Sequence, residues 1–431
     1  MKDAVIVGAG LAGLHCALTL QQAGLDVVLV EASDAAGGRV RTDEVDGFRL
    51  DRGFQVLLTA YPEARSALDY PALDLRTLKP GALVWKDGRF HRFADPFRDP
   101  LAAIRIAFDP MVTLGDKLRV ARLRGRAMSG ALPEIFAKRE QTTLSYLEDF
   151  GFSRKIIGGF FEPFFGGVFL EKSLVTSSRY FEFLFRMFSA GAVAVPAAGM
   201  EAIPRQLAER LRPGTLILNT RVDRIARVGA NFAVTAGEGG EILARAAVLA
   251  TEEPEARRLR RSLDGDGGQD LSRPWNSTTA FYFAANQAPV EEPILLLNGE
   301  GSGHGPVNNA VVLSRVASSY APAGAHLVSA SVVGEAPSAP DAIAALEAGV
   351  RRQLKVWFGS QVDRWRFLRA YPIEYALPLQ RTAGWDNGNP RLTAKGAYQT
   401  GDFTETASIQ GALTAGRRAA EALIDDRRAG A

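Results

Sequence analysis

The run Gly8-Ala9-Gly10-Leu11-Ala12-Gly13 constrains this chain more than any other stretch. It fits the spacing G-x-G-x-x-G, and its flanks give the spacing meaning. Ala4–Val7 is a short apolar run bounded by glycine, the mark of a buried parallel strand. Leu11–Ala23 carries apolar residues at helical spacing and stops at Gly24, a helix-ending signal. Asp26–Val30 is a second β-branched run. Strand, tight turn, helix and strand make a β-α-β unit of the doubly wound kind. Gly8 permits the turn, Gly10 lets backbone approach a pyrophosphate, and Gly13 lets helix and strand pack closely. Leu11 and Ala12 open a helix whose free N–H groups and positive dipole end suit phosphate.

Glu31 and Ala32 end the second run, with Glu31 standing 18 residues after Gly13. A carboxylate there accepts hydrogen bonds from ribose hydroxyls. The same glycines argue against taking Lys2 and the apolar stretch to Leu20 as a cleaved leader, and no small-residue cleavage site follows. No run approaches the ~18 apolar residues of a spanning helix.

At 431 residues the chain exceeds the common single-domain length of roughly 100–200 residues. Two domains are expected. The net charge of +3 comes without a dense basic stripe interleaved with aromatics, so nucleic acid is not expected as a partner. One cysteine, Cys16, excludes an internal disulfide framework and a thiolate metal cluster. Four scattered histidines show no metal-ligand spacing, and no metal is expected.

The next strings narrow the ligand. Gly37-Gly38-Arg39-Val40-Arg41-Thr42 follows Glu31 closely, and Thr400-Gly401-Asp402 leads to Ile409-Gln410-Gly411 and an Ala-rich helix near the end. With the glycine loop, these segments resemble the FAD-dependent amine oxidase and phytoene desaturase superfamily, which also includes protoporphyrinogen oxidase and carotene isomerase. The resemblance implies FAD, and the place of Cys16 in the first helix, far in sequence from the flavin ring site, makes it non-covalent. It places Gly38 and Arg39 along the diphosphate, where a guanidinium suits a dianion. It leaves Arg41 open between cofactor and surface. Leu50-Asp51-Arg52-Gly53-Phe54 is similar to the strand beside the isoalloxazine ring, with Gly53 and Phe54 in contact. Val222 would read the adenine through its backbone, and Thr251 matches an Ala-Thr strand end. Asp402 would meet the ribityl chain or the diphosphate. Ile409 and Gln410 would start a helix whose dipole faces the flavin.

The resemblance implies an α/β fold. A doubly wound, Rossmann-like FAD domain is assembled from 1–85, 196–275 and 386–431. An α+β substrate domain is inserted as 86–195 and 276–385. Within these, Leu114–Met128, Asp341–Phe358 and Gln410–Asp425 read as helices. Arg221–Val228 and Phe232–Ala236 read as a hairpin, and Arg257–Arg273 as a polar loop or crossing.

The substrate region carries weaker signals. Amine oxidases of the family place a lysine near the flavin, and Leu271 to Gly349 contains none. Phe160–Phe165 and Phe181–Phe188 suit either an isoprenoid tunnel or plain core. Tyr371, Tyr375 and Trp385 are candidates for substrate positioning, and Glu162 and His304 for proton transfer. The expected activity is dehydrogenation or desaturation of a small apolar, isoprenoid-like substrate by hydride transfer to flavin, with oxygen or a quinone as acceptor. Alternatives are a flavin-dependent isomerase, an amine or porphyrinogen oxidase, and an FAD-binding protein without turnover. The expected location is cytoplasmic. Arg105, Arg119, Arg122, Arg124 and Arg126 make either a peripheral contact with anionic lipid or a solvated helix face.

Overall fold

The computed structural model describes residues 1–93, 113–237, 239–264, 274–381, 389–392 and 394–430. Two seven-stranded sheets dominate these residues. In the first, Lys2–Val7 lies between Val27–Val30 and Gly240–Leu249, all parallel. Leu216–Ile217 adds a parallel strand beyond Val27–Val30. Gly240–Leu249 then branches. Its first half pairs antiparallel with Asn231–Ala236, which pairs in turn with Val222–Val228. Its last residues pair in parallel with Ala397–Gln399.

Both faces of the central strands are covered, which explains their unbroken apolar character. Val5, Val7, Val28 and Val30 pack with Phe232 and Leu259 on one face. Ala4, Ile6, Val27 and Leu29 pack with Leu14 and Leu18 on the other. The first helix, Leu11–Gln22, lies against the terminal helix, Ile409–Ala429. Glycine makes that approach possible: a Cβ on Gly416 would stand 2.2 Å from the Ala12 carbonyl oxygen.

One expected loop is a helix. Glu253–Asp264 takes up the first part of the polar 257–273 stretch. Ala256 and Leu259 are buried beneath it and Leu263 is partly so, a spacing hidden by the arginines around it. The stretch 265–273 lies outside the described residues.

The second sheet runs in the order Arg366–Pro378, Trp275–Ala285, His326–Val333, Val307–Val312, Leu295–Asn298, Ala82–Lys86, Arg89–Phe93. All neighbours are antiparallel except Leu295–Asn298 with Ala82–Lys86. The chain is therefore in this sheet from Ala82, a few residues ahead of the expected crossing at 85/86. One face carries the helix Pro340–Phe358, whose Val350, Leu354 and Trp357 meet Phe281, Phe283 and Val328. The other face turns Ala280, Tyr282 and Val311 toward the first domain's core.

Helices fill the remaining space, among them Leu114–Met128, Glu162–Phe169 and Ser178–Ala190. Leu114–Met128 begins at Thr113, whose hydroxyl oxygen accepts from Asp116 N at 3.1 Å. The fully buried Asp116 carboxylate accepts from Ser153 N and Oγ at 3.0 and 2.7 Å, fastening the helix to the start of Arg154–Ile156. Leu114 and Leu118 project into solvent, and Arg105 lies outside the described residues. No helix among the described residues is long and apolar enough to cross a membrane.

Candidate active site

A cavity of about 910 Å³ runs between the two sheets. That is near the upper end of the roughly 300–1,000 Å³ usual for ligand sites. The expected cofactor residues Gly8, Gly10, Leu11, Ala12, Glu31, Gly38, Arg39, Gly53, Phe54, Thr251, Asp402 and Ile409 all line it. They come from five separated stretches, and the branching of Gly240–Leu249 brings them together at the ends of the parallel strands.

The glycines divide into supports and openings. A Cβ on Gly13 would lie 1.9 Å from the Gly8 carbonyl oxygen, and one on Gly8 would lie 2.7 Å from that of Ala250. A Cβ on Gly10 would meet no protein atom within 4 Å and would enter the cavity. The helix it starts has no side-chain cap and no acid in its first turn. Backbone N–H groups there are left for an anion. This fits a diphosphate.

Glu31 anchors the loop. Its Oε2 accepts from Ala9 N at 2.7 Å, and its Oε1 accepts from Ser33 N at 2.9 Å and Ser33 Oγ at 2.6 Å. Oε2 keeps an acceptor site for a ribose hydroxyl, while both sites of Oε1 are taken by Ser33. Arg39 donates to Asp402 Oδ1 at 2.6 Å and to the Ala376 carbonyl at 2.9 Å, and lies 3.7 Å from Glu252. It sits 5.3 Å from the ring centroid of Trp275. Burial, with Asp402 close by, raises the Glu252 carboxyl above its ordinary range.

Four expected cofactor residues fall behind this lining. Gly13 makes the close packing just described. Ala32 is exposed. Val222 is buried in the core, and its carbonyl accepts from Arg258 Nη2 at 2.8 Å. Gln410 spans two helices: its Oε1 accepts from Glu63 N at 2.9 Å and its Nε2 donates to Thr414 Oγ1 at 3.2 Å. Arg41 is neither on the surface nor in the cavity. It is buried, with Nε donating to Glu201 Oε2 at 2.9 Å. Lining residues not singled out from sequence include Ser33, Gly37, Arg52, Glu252 and Ser408. Gly37 and Glu252 adjoin residues that were, and Ser408 is recognisable as an N-cap, accepting from Gly411 N at 3.1 Å. Cys16 is fully buried, and burial lifts its thiol to about 12. It has no access to the cavity.

The remaining walls are aromatic. Phe160, Phe164, Phe165, Phe185 and Phe188 line the cavity, while Phe161, Phe181 and Phe183 sit in the core. A π-helical turn at Ile157–Phe161 carries Phe160, which lines the cavity, and Phe161, which is in the core. Phe160 stacks on Phe93 at 4.7 Å and on Phe164 at 5.4 Å. Among the described residues, the cavity's carboxylates are Glu31, Glu252, Glu255 and Asp402, from the cofactor-side stretches, and its other cations, besides Arg39 and Arg52, are Lys79, Lys117 and Arg124.

The expected substrate-positioning tyrosines stand elsewhere. Tyr371 donates to Asp43 Oδ2 at 2.7 Å, and Tyr375 is exposed and packs edge-on against Trp275. Neither lines the cavity: Tyr371 shares the face of Ile373 but is tied to Asp43, and Tyr375 stands where the strand's register with Trp275–Ala285 shifts. Glu162 and His304 do not line it either. Trp385 lies outside the described residues.

Comparison with known proteins agrees with this geometry. The family model of flavin containing amine oxidoreductases matches residues 11–424. A phytoene dehydrogenase of Streptomyces griseus is 28% identical over 287 residues, 59% of this chain and 55% of the relative. A 1-hydroxycarotenoid 3,4-desaturase of a Flavobacterium is 27% identical over 186 residues, 42% of this chain and 31% of the relative. The matches thus span about a third to a half of these relatives' lengths. The crystal structure of a putative protoporphyrinogen oxidase from Exiguobacterium superposes with a TM-score of 0.75 at 17% identity, covering 99% of each chain. With a family match over nearly its whole length, the chain belongs to the flavin containing amine oxidoreductases, and FAD is its cofactor.

Proposed function

We propose that this chain is an FAD-dependent oxidoreductase that removes hydride from an apolar, isoprenoid-like substrate. The observation that carries the proposal is the aromatic wall formed by Phe160, Phe164, Phe165, Phe185 and Phe188. Burying an alkylammonium without a carboxylate beside it is costly. The phenylalanine segments bring no carboxylate to the cavity. An extended hydrocarbon needs only burial, worth about 25 cal/mol per Å². The matches to a phytoene dehydrogenase and a hydroxycarotenoid desaturase point the same way.

FAD, when bound, supplies the hydride acceptor. The protein's part is orientation and exclusion of water. Gly8, Gly10 and Glu31 would hold the dinucleotide, and the phenylalanine wall would lay the substrate along the cavity. Anaerobic mixing of the yellow protein with phytoene or a hydroxylated polyene is expected to bleach the flavin. Bleaching by putrescine or another amine, with none by apolar donors, would overturn the proposal. Substrate rearrangement without net oxidation, seen only after prior reduction, would replace it with an isomerase.

A further inference from the structure

The roof of the cavity is not uniformly apolar. One row of side chains crosses five strands of the second sheet on the face that looks into it. Ile373 pairs with Thr278, Ser331 lies diagonal to Thr278, Asn309 pairs with Ser331, and Leu297 pairs with Asn309. All five line the cavity. The outer two are hydrocarbon. The inner three are polar and are 7%, 6% and 5% exposed for Thr278, Ser331 and Asn309.

Buried polar groups on such a wall are ordinarily satisfied by one another. These are only partly so. Thr278 Oγ1 donates to the Val332 carbonyl at 2.8 Å, which leaves its oxygen as an acceptor. Asn309 Oδ1 accepts from Asn308 Nδ2 at 3.1 Å. Asn309 Nδ2 reaches Ser331 Oγ only at 3.5 Å, long for a hydrogen bond. Among the described residues nothing accepts the Ser331 hydroxyl proton. The row therefore presents a donor and an acceptor side by side within an otherwise apolar chamber.

Two features keep the row open. Gly167, on the aromatic helix opposite, also lines the cavity, and a Cβ there would stand 3.1 Å from Asn309 Oδ1 and 2.7 Å from Asn308 Nδ2. The absent side chain leaves Asn309 uncovered. At the other end of the row, Ile373 Cδ1 would lie 2.8 Å from a Cβ on Gly53. The polar row thus starts one strand away from the Gly53 contact, and at about 4.8 Å per strand it ends roughly 15 Å from it.

We propose that Thr278, Ser331 and Asn309 read a hydroxyl or carbonyl oxygen on the substrate, so that the substrate is an oxygen-bearing isoprenoid rather than a pure hydrocarbon. This rests on the apolar-substrate proposal above and adds one polar atom to it. A neutral hydroxyl both donates and accepts, matching the pair of functions the row offers. A site built to hydrogen-bond an oxygen discriminates against the analogue lacking it, because its own groups are then left dry.

The test uses the flavin-loaded protein and two probes of one skeleton: geranylgeraniol, and the hydrocarbon with hydrogen in place of its hydroxyl. Binding is read from the flavin difference spectrum without turnover. The unmodified protein is expected to bind the alcohol at least about tenfold more tightly, the size of one well-placed hydrogen bond. Ser331→Ala and Gly167→Ala are each expected to lower that ratio toward one while leaving hydrocarbon affinity within about twofold. Thermal melts and flavin content show that each variant is folded, and Thr278→Val gives a third, isosteric reading. Equal binding of the two probes by the unmodified protein, or a preference that survives all three variants, would overturn the oxygen-reading role and leave the apolar-substrate proposal standing. Binding of neither probe would overturn both.

Discussion

The cofactor-side wall and the substrate-side wall of the same cavity are built on opposite principles. The first is backbone held in place by contacts that tolerate no side chain, as at Gly8, Gly13 and Gly416. Its specificity lies in N–H groups, one carboxylate and one guanidinium. The second is side chain held by other side chains, a layered set of phenylalanines under a sheet roof. Backbone contacts forbid substitution, whereas an aromatic layer can be repacked at moderate cost. The cofactor wall is therefore the constrained part of the molecule and the substrate wall the adjustable part.

The sharpest way to break this comparison is at Gly13. In Gly13→Val the new side chain would start 1.9 Å from the Gly8 carbonyl oxygen, so helix and loop must separate. Flavin binding is expected to fall by at least about 100-fold, or folded protein to be lost, because a steric conflict with backbone has no rotamer escape. Purified Gly13→Val protein that keeps its yellow colour would show that the glycine loop does not carry the cofactor.

A second test lies on the seam between the halves. Asp51 is buried, and its Oδ1 accepts from Thr42 Oγ1 at 2.6 Å and Met200 N at 2.9 Å. Tyr320 donates to its Oδ2 at 2.9 Å and Tyr282 to its carbonyl oxygen at 2.7 Å. Burial pushes its carboxyl from 3.8 up to about 6. The folded state thus holds the proton more tightly than the unfolded chain. The stability this gives is complete below the unfolded pKa of 3.8 and is lost as pH rises to about 6. The difference is on the order of 3 kcal/mol across that window. Asp51→Asn keeps the shape and cannot titrate, so the difference in melting temperature between it and the parent should change from pH 4 to 6 and be flat above. A difference that is flat throughout would remove Asp51 from the seam.

Glu31→Ala is expected to act more narrowly. It removes the acceptors of Ala9 N, Ser33 N and Ser33 Oγ together with the Oε2 site left for a ribose hydroxyl. FAD affinity should drop by about 10- to 100-fold, the equivalent of about 1–3 kcal/mol, with apolar probe binding unchanged once FAD is saturating. Titration of the apoprotein with FAD measures it.

How much of this was legible in the sequence follows from the same contrast. The glycine loop, Glu31 and the segment from Asp402 to Ile409 announce themselves because each is local. A turn, a cap or a helix start needs particular residues at particular spacing. Helix Leu114–Met128 was readable to the residue for that reason. Helix Glu253–Asp264 was obscured because its arginines outnumber the apolar positions that hold it down. The bond from Arg258 to the Val222 carbonyl was likewise hidden, since its partner is 36 residues away. The roof row of Thr278, Ser331 and Asn309 was invisible, since it exists only once three strands are in register. The phenylalanine clusters could not be divided into wall and core, because both sides of the division are phenylalanine and only the packing of the two helices separates them.

Tyr371 gives the smallest expected effect and separates position in the chain from position in the cavity. It lies two residues before the inward-facing Ile373, on the same strand. Its hydroxyl is committed to Asp43, which also receives Arg52 at 2.9 Å, and burial raises the phenol to about 12. Tyr371→Phe deletes that one half-buried hydrogen bond, so a stability loss of about 1 kcal/mol is expected. Asp43 keeps its pairing with Arg52, which limits the loss. Affinity for both isoprenoid probes should stay within about twofold of the parent, because the ring does not line the cavity. A larger change confined to the alcohol would mean that the polar reading surface extends past Ile373 onto this strand, and that the substrate wall is wider than the five-residue row.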